Sequence, residues 1–240
     1  MTDPGSYFAV HLQELRQRLV VVFAAVILAS VAAYWKADDL VRMLVVPLSR
    51  VSPEYAHLVY TNLPEAFVSY LKVSVLVGVV AAFPVLVYEA WMFIAPGLHR
   101  HEKRFARWIV FWGGVLFLFG VGFSYLVAVP RLLVFLLAYA HPDLEPALKL
   151  GPYLTFVARS SLAFGIAFEM PFLMVMLSRT GLVTPGYFSR KRKFSYIGIV
   201  VVAFLLVAGD PVATVIVALP LCLLYEAGIL IGRLLTPRNG

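Results

Sequence analysis

Apolar runs near or above about 18 residues recur along the whole chain, and "LVVVFAAVILASVAAYW" at 19–35 is only the first of them. As a helix, a run of that length reaches across bilayer hydrocarbon with its backbone hydrogen bonds satisfied internally. The rest of the composition agrees. The 240 residues are 62% hydrophobic and 14% charged, where a soluble domain has roughly 45–50% apolar and about 25% charged residues. The sequence therefore describes an all-α, polytopic membrane protein, one transmembrane domain over 1–240 with six spans. They fall at about 19–35, 66–94, 108–138, 153–177, 194–208 and 212–230. The fifth is only some 15 residues, about 22 Å of helix, and the turn "GDP" that joins it to the sixth is too short to hold a domain.

Six spans put both termini on one side. That side collects Arg16, Arg18, Arg100, Lys103, Arg104, Arg107, Arg179, the run Arg190–Lys193, Arg233 and Arg238. The opposite side carries Lys36, Arg42, Arg50 and Lys149, with Lys72, Arg131 and Arg159 at or inside span ends. The positive-inside rule then predicts both termini in the cytoplasm. The net charge of +7 is explained by topology and anionic lipid, so nucleic acid is not an expected partner. The apolar core of the first span is longer than that of a signal peptide and Glu14 lies among its basic flanks, so no cleavage is expected. Between the first two spans, "DDLVRMLVVPLSRV" suits a short interfacial helix with Asp38 or Asp39 as N-cap, ended by Pro47. In "TNLPEAF", Asn62 is a plausible cap, Pro64 is tolerated in the first turn, and Glu65 suits the positive end of the next helix.

The sharpest chemical signal is Glu169 in "FGIAFEMPF". A charged carboxylate at mid-bilayer costs roughly 2.5–3.5 kcal/mol on insertion scales. Glu169 must face protein or water, be protonated, or sit off-centre. Pro171, two residues on, removes a backbone donor and tends to kink the helix. Two readings stand: an internal hydrogen bond to another span, or a polar notch that receives something, which Glu226 could join. Arg159 is too far along the same helix to pair with Glu169 and is expected to snorkel or to meet Asp210 or Glu65. Glu14 in "HLQELRQRL" and Glu102 in "GLHRHEKRF" are acids in basic neighbourhoods. They are either ordinary local ion pairs or a carboxylate pair for a cationic ligand, for which arginine's planar fork is the best match.

Enzyme motifs fail. "HEKRF" begins like H-E-x-x-H, but position 105 is phenylalanine and the zinc site lacks a ligand. There is no G-x-S-x-G and no Walker glycine loop. Cys222 stands alone, with no partner for a disulfide and no metal-ligand spacing. No metal or cofactor is expected. "GILIG" at 228–232 fits the G-x-x-x-G helix-packing pattern.

Taken in order, "HLQELRQRL" (11–19), "TNLPEAF" with Lys72, "YEAWMFIAPGLHRHEKR" (88–104), "YLTFVARSSLAFGIAFEMP" (153–171) and "ALPLCLLYEAGI" (218–229) resemble TatC, the six-span core subunit of the twin-arginine protein translocase. The resemblance covers nearly the whole chain. It implies a concave, glove-like bundle whose short fifth and sixth spans form a thin edge, in a bacterial cytoplasmic membrane. It implies a non-enzymatic receptor for twin-arginine signal peptides of folded cargo, with single-span TatA/TatB-type subunits and other TatC copies as partners and the proton gradient as energy source. Residue by residue, Glu14 and Glu102 match the glutamates that recognise the paired arginines. Arg16, Phe93, Pro96, Gly97, Leu98, Lys103 and Arg104 match the surroundings of that site. Glu169, with Pro171 and Glu226 nearby, matches the polar point of the concave face. Pro47 and Asp210 match residues of the outer loops. Glu89 departs from the family's usual glutamine, and "VAGDP" replaces a threonine–proline–proline–aspartate turn. A competing class is an ion-coupled secondary transporter that uses Glu169, Arg159 and Glu226 as a relay.

Overall fold

The computed structural model describes residues 4–55, 57–94, 103–138, 147–179, 183, 186–207 and 210–235. Five helices are long and apolar enough to cross a membrane: His11–Tyr34, Pro64–Phe93, Trp108–Leu137, Leu150–Ser178 and Pro211–Leu234. They lie within α1 (Pro4–Tyr34), α3 (Leu63–Ile94), the pair α4 (Lys103–Phe123) and α5 (Val129–Leu137), α6 (Leu150–Arg179) and α9 (Pro211–Leu235). The remaining crossing is α8 (Arg192–Leu206), 15 residues long. At about 22 Å it falls short of a roughly 30 Å hydrocarbon core, a mismatch that local thinning of the bilayer or snorkelling of flanking residues accommodates. Among the described residues there are also two short α-helices, α2 (Ala37–Val51) and α7 (Tyr187–Arg190), and a 3-10 turn at Pro53–Tyr55. Two helices run well beyond the apolar stretches read from the sequence. α1 starts at Pro4 and α9 runs on to Leu235, because a helix emerging from lipid continues into the headgroups as long as nothing breaks it.

α6 is the hub. It packs against α3, α4 and α9, and its span is far the most buried of the five. Lipid tails are as apolar as leucine, so these helices gain little from the hydrophobic effect and depend on close contact. One such close crossing is α4 on α6. A Cβ on Gly120 would lie 2.5 Å from the carbonyl oxygen of Phe164 and 2.9 Å from the Cα of Gly165. The expected G-x-x-x-G contact is half realised. Gly228 lies against Pro171 and Met174 of α6, while Gly232 has open space where a side chain would go.

The segment between the first two spans departs from its sequence reading in three ways. The N-cap is Lys36 rather than either aspartate, which both fall in the first turn. The apolar face does not lie on lipid. Val41 and Leu48 are buried with Val73, Val129, Leu154 and Val157, in a cluster built from α2, α3, α5 and α6. Nor does Pro47 end the helix, which continues to Val51. A proline at 47 leaves the carbonyl of Met43, four residues back, without its donor. The hydroxyl of Tyr125 donates to that carbonyl at 2.6 Å, and that of Tyr153 donates to Leu44 O at 2.8 Å. Tyr125 thus supplies the donor that Pro47 lacks, and Tyr153 adds a second tie from another span to the next carbonyl. Tyr125 belongs to a π turn, Ser124–Ala128, between α4 and α5. Pro130 follows it, and a proline ring crowds the carbonyl four residues earlier. The wider turn, with Val129 N–H donating to Ser124 O, makes room for it.

On the face opposite the termini, the chain before α3 is tied to the start of α6. Val59 N–H donates to Leu148 O at 3.0 Å, and Leu150 N–H to Val59 O at 2.9 Å. Glu65 reinforces the tie, accepting from Thr61 N–H at 2.9 Å and Gly151 N–H at 3.3 Å. Asp210 caps α9 by accepting from Ala213 N–H at 2.7 Å, with Pro211 as the first helical residue.

Candidate functional site

The N-terminal signature and the end of the second span meet at the face that carries both termini. α1 lies along α3, and one guanidinium joins them. Arg18 Nη2 is 2.5 Å from Glu14 Oε1, its Nε is 3.2 Å from the same oxygen, and its Nη1 is 2.9 Å from Glu89 Oε2. Glu14 is one helical turn before Arg18, while Glu89 comes from a different span. Two carboxylates therefore share one cation, and the trio keeps a net negative charge. Glu89 Oε1 has no hydrogen bond to a described side chain, and Glu14 Oε2 lies 4.0 Å from His11 Nδ1. The imidazole of His11 stacks on Phe93, with ring centroids 4.4 Å apart. The result is a partly exposed acidic pair beside a flat aromatic surface, suited to a guanidinium.

Of the other residues expected here, Arg16 is exposed on α1 and Phe93 is half-buried. Pro96, Gly97, Leu98 and Glu102 lie outside the described residues, as do the side chains of Lys103 and Arg104, which begin α4. Sequence reading missed Arg18 and Glu89 as partners. The only signal it had was a glutamate where the family usually has glutamine.

Glu169 occupies a second, separate place. Its side chain is 5% exposed, held against the α4 backbone at Phe117, and its Oε1 has no hydrogen-bond partner among the described residues. It faces a cavity of about 350 Å³ between α3, α4 and α6, whose other lining residues are apolar, Trp91, Phe83 and Phe172 among them. Exposed Ile166 and Leu173 line the same cavity. The carboxylate stands against the α4 backbone on one side and leaves Oε1 open on the other. The notch is a polar atom in a greasy hollow.

Glu226 is not part of it. It bonds Arg192 Nη2 at 2.6 Å and also Tyr196, both on α8. The reason is rotational: Gly228 of α9 meets α6, and Glu226, two residues earlier, projects elsewhere. Pro171 packs on that same glycine. Arg159 forms no ion pair with Asp210, Glu65 or any other described acid, and lines a cavity at the opposite face. The three members of the imagined relay thus sit in three different surroundings. Cys222 is half-buried, and among the described residues no cluster of His, Cys, Asp or Glu could hold a metal ion.

Residues 10–220 match the family model for the Sec-independent protein translocase protein TatC. The chain is 38% identical over 231 residues to the translocase protein TatC of Desulforapulum autotrophicum, covering 96% of this chain and 86% of that one. It is 36% identical over 231 residues to that of Aquifex aeolicus, covering 95% of each, and 31% identical over 223 residues to that of Escherichia coli K12, covering 93% and 86%. A crystal structure of the twin arginine translocase receptor TatC matches the fold with a TM-score of 0.84 at 34% identity, over 93% of this chain and 98% of the other. A second, in the detergent DDM, matches equally well.

Proposed function

The chain belongs to the TatC family, as a core membrane subunit of the translocase and not an enzyme, and from that premise we propose that it receives the paired arginines of signal peptides on folded cargo. The observation that carries the proposal is the acidic pair at Glu14 and Glu89, held by one guanidinium with carboxylate oxygens to spare. The geometry around Arg18 is already that of carboxylates around a guanidinium, which supports a cargo arginine binding beside it at the remaining oxygens. Glu102 supplies a further carboxylate, and Arg16, Phe93, Pro96, Leu98, Lys103 and Arg104 shape the surroundings. The excess of basic residues on this face supports a cytoplasmic location for it and for both termini, in a bacterial inner membrane like that of the relatives. Single-span TatA/TatB-type subunits and further TatC copies join it for export driven by the proton gradient.

Photocrosslinking tests this directly. With a photoreactive residue at position 16 or 93, the purified protein should capture a twin-arginine signal peptide and ignore the same peptide with two lysines. Lysine keeps the charge and loses the planar, two-pronged fit. Equal capture of both peptides would overturn the assignment.

Glu169 serves in the same proposal as the polar anchor for a helix of a partner subunit, entering past Ile166 and Leu173. One polar contact in hydrocarbon is worth roughly 1–2 kcal/mol, enough to orient a partner and too little to trap it. An unpaired buried oxygen costs the fold about 1–3 kcal/mol. Glu169→Met should therefore raise the thermal unfolding midpoint in detergent while abolishing export of a twin-arginine cargo in cells. A variant that exports normally, or unfolds earlier than wild type, contradicts the anchor.

A further inference from the structure

We propose that the cavity on the face opposite the termini is a binding site for one anionic phospholipid, with the phosphodiester held between Lys72 and Arg159 and an acyl chain laid along α5. The cavity has a volume of about 900 Å³ and brings together residues of α3, α5, α6, α8 and α9. This is a size that holds a headgroup and the first part of a chain. Lys72 stands about nine residues into α3 and Arg159 about nine into α6. Both helices start on the same face, so each cation is roughly 13 Å from its helix end and the two are level. Both are exposed, and neither forms an ion pair with a described residue.

A bare cation at that depth is costly unless it snorkels or finds an anion. The described acids of the neighbourhood are engaged. Glu65, which lines the same cavity, already accepts from the backbone at Thr61 and Gly151. Asp210 caps α9. A third cation, Lys149, lines the mouth. Three cations against one committed acid favour an anionic headgroup over a zwitterionic one. The remaining wall, with Leu132, Leu133 and Leu136 from α5, is apolar. A hydrated inorganic anion would leave that wall uncovered, whereas an acyl chain covers it. The source of the phosphate is therefore lipid, and the site is independent of the twin-arginine reading.

Native mass spectrometry of the purified full chain in detergent, with phosphatidylglycerol or phosphatidylcholine added, tests the site. Wild type should retain one phosphatidylglycerol in preference to phosphatidylcholine. Each basic residue near a membrane surface contributes about fivefold, so Lys72→Gln with Arg159→Gln should weaken retention roughly 30-fold. Arg159→Leu alone, which places an apolar residue at an exposed position of α6 and should fold, should weaken it about fivefold. Lys72→Arg with Arg159→Lys should keep the lipid. Lys191→Gln with Lys193→Gln, which removes as much charge from the other end, should not alter it. Unchanged retention in Arg159→Leu, or equal retention of the two lipids, overturns the proposal. Displacement by the chainless headgroup glycerophosphoglycerol at millimolar concentration also overturns it, since it would mark an anion site that needs no lipid. Twin-arginine crosslinking at positions 16 and 93 should be unaffected in every variant, so failure here and failure of the receptor reading are separable.

Discussion

Replacing Glu14 with alanine should abolish measurable binding of a twin-arginine peptide while leaving the protein folded. Glu14 provides one oxygen to Arg18 and keeps the other within reach of a ligand. A charge-assisted hydrogen bond contributes about 1.5–3 kcal/mol, which corresponds to roughly 10- to 150-fold in affinity. Alanine at 14 removes a charge-assisted hydrogen bond and the site's net negative charge at once, so the effect lies at the upper end of that range. The fold should survive because Glu14 is partly exposed, on a stretch of α1 at the membrane surface, and Arg18 retains Glu89. Glu89→Gln is the informative companion. It leaves Glu14 alone with Arg18 and removes the net negative charge, so it should weaken binding less than Glu14→Ala but in the same direction. Isothermal titration in detergent with twin-arginine and twin-lysine peptides compares wild type with both variants. Normal binding by Glu14→Ala, with a normal elution profile on gel filtration, would remove the receptor site from this corner of the molecule.

The second large effect is on the fold. Gly120→Leu should prevent assembly of the bundle, because a side chain there meets backbone, namely the carbonyl of Phe164 and the Cα of Gly165. Backbone in the middle of a 30-residue helix cannot step aside, and α4 would have to leave α6. Overpacking usually costs about 1–3 kcal/mol where side chains can adjust, and here the cost should be at the top of that range or above. Two residues on, Gly122 has nothing within 4 Å of where its side chain would go. Gly122→Ala should therefore be neutral or stabilise by about 0.4–1 kcal/mol, through helix propensity and a stiffer unfolded chain. Thermal unfolding followed by tryptophan fluorescence, together with the monodisperse fraction after solubilisation, separates the two. A well-folded Gly120→Leu protein would show that α4 and α6 do not cross there.

The comparison of the two glycines also marks where sequence reading stops. Both belong to the same apolar span and carry the same local signal, "LFGVGF". Only the neighbour across the crossing tells them apart. The same holds for Pro47. Proline's missing donor is a local fact and suggests a helix end, yet α2 continues because Tyr125 and Tyr153 arrive from far along the chain. Arg18 with Glu89 and Arg192 with Glu226 repeat the lesson for charges. Each pair joins different helices, and no spacing rule reaches that far. Glu169 was legible as an anomaly from its type and depth, but whether its carboxylate was bonded or open depended on how α4 lay against α6.

Hydrocarbon imposes a demand on every residue of a crossing segment, so the number of spans and the side holding both termini can be read along the chain from apolar length and basic flanks. Contacts between spans obey no such local demand. In a solvent as apolar as the helices themselves, they are selected by the close fit of particular surfaces. Which carboxylate faces which guanidinium, and which glycine touches backbone, was therefore decided only when the helices packed.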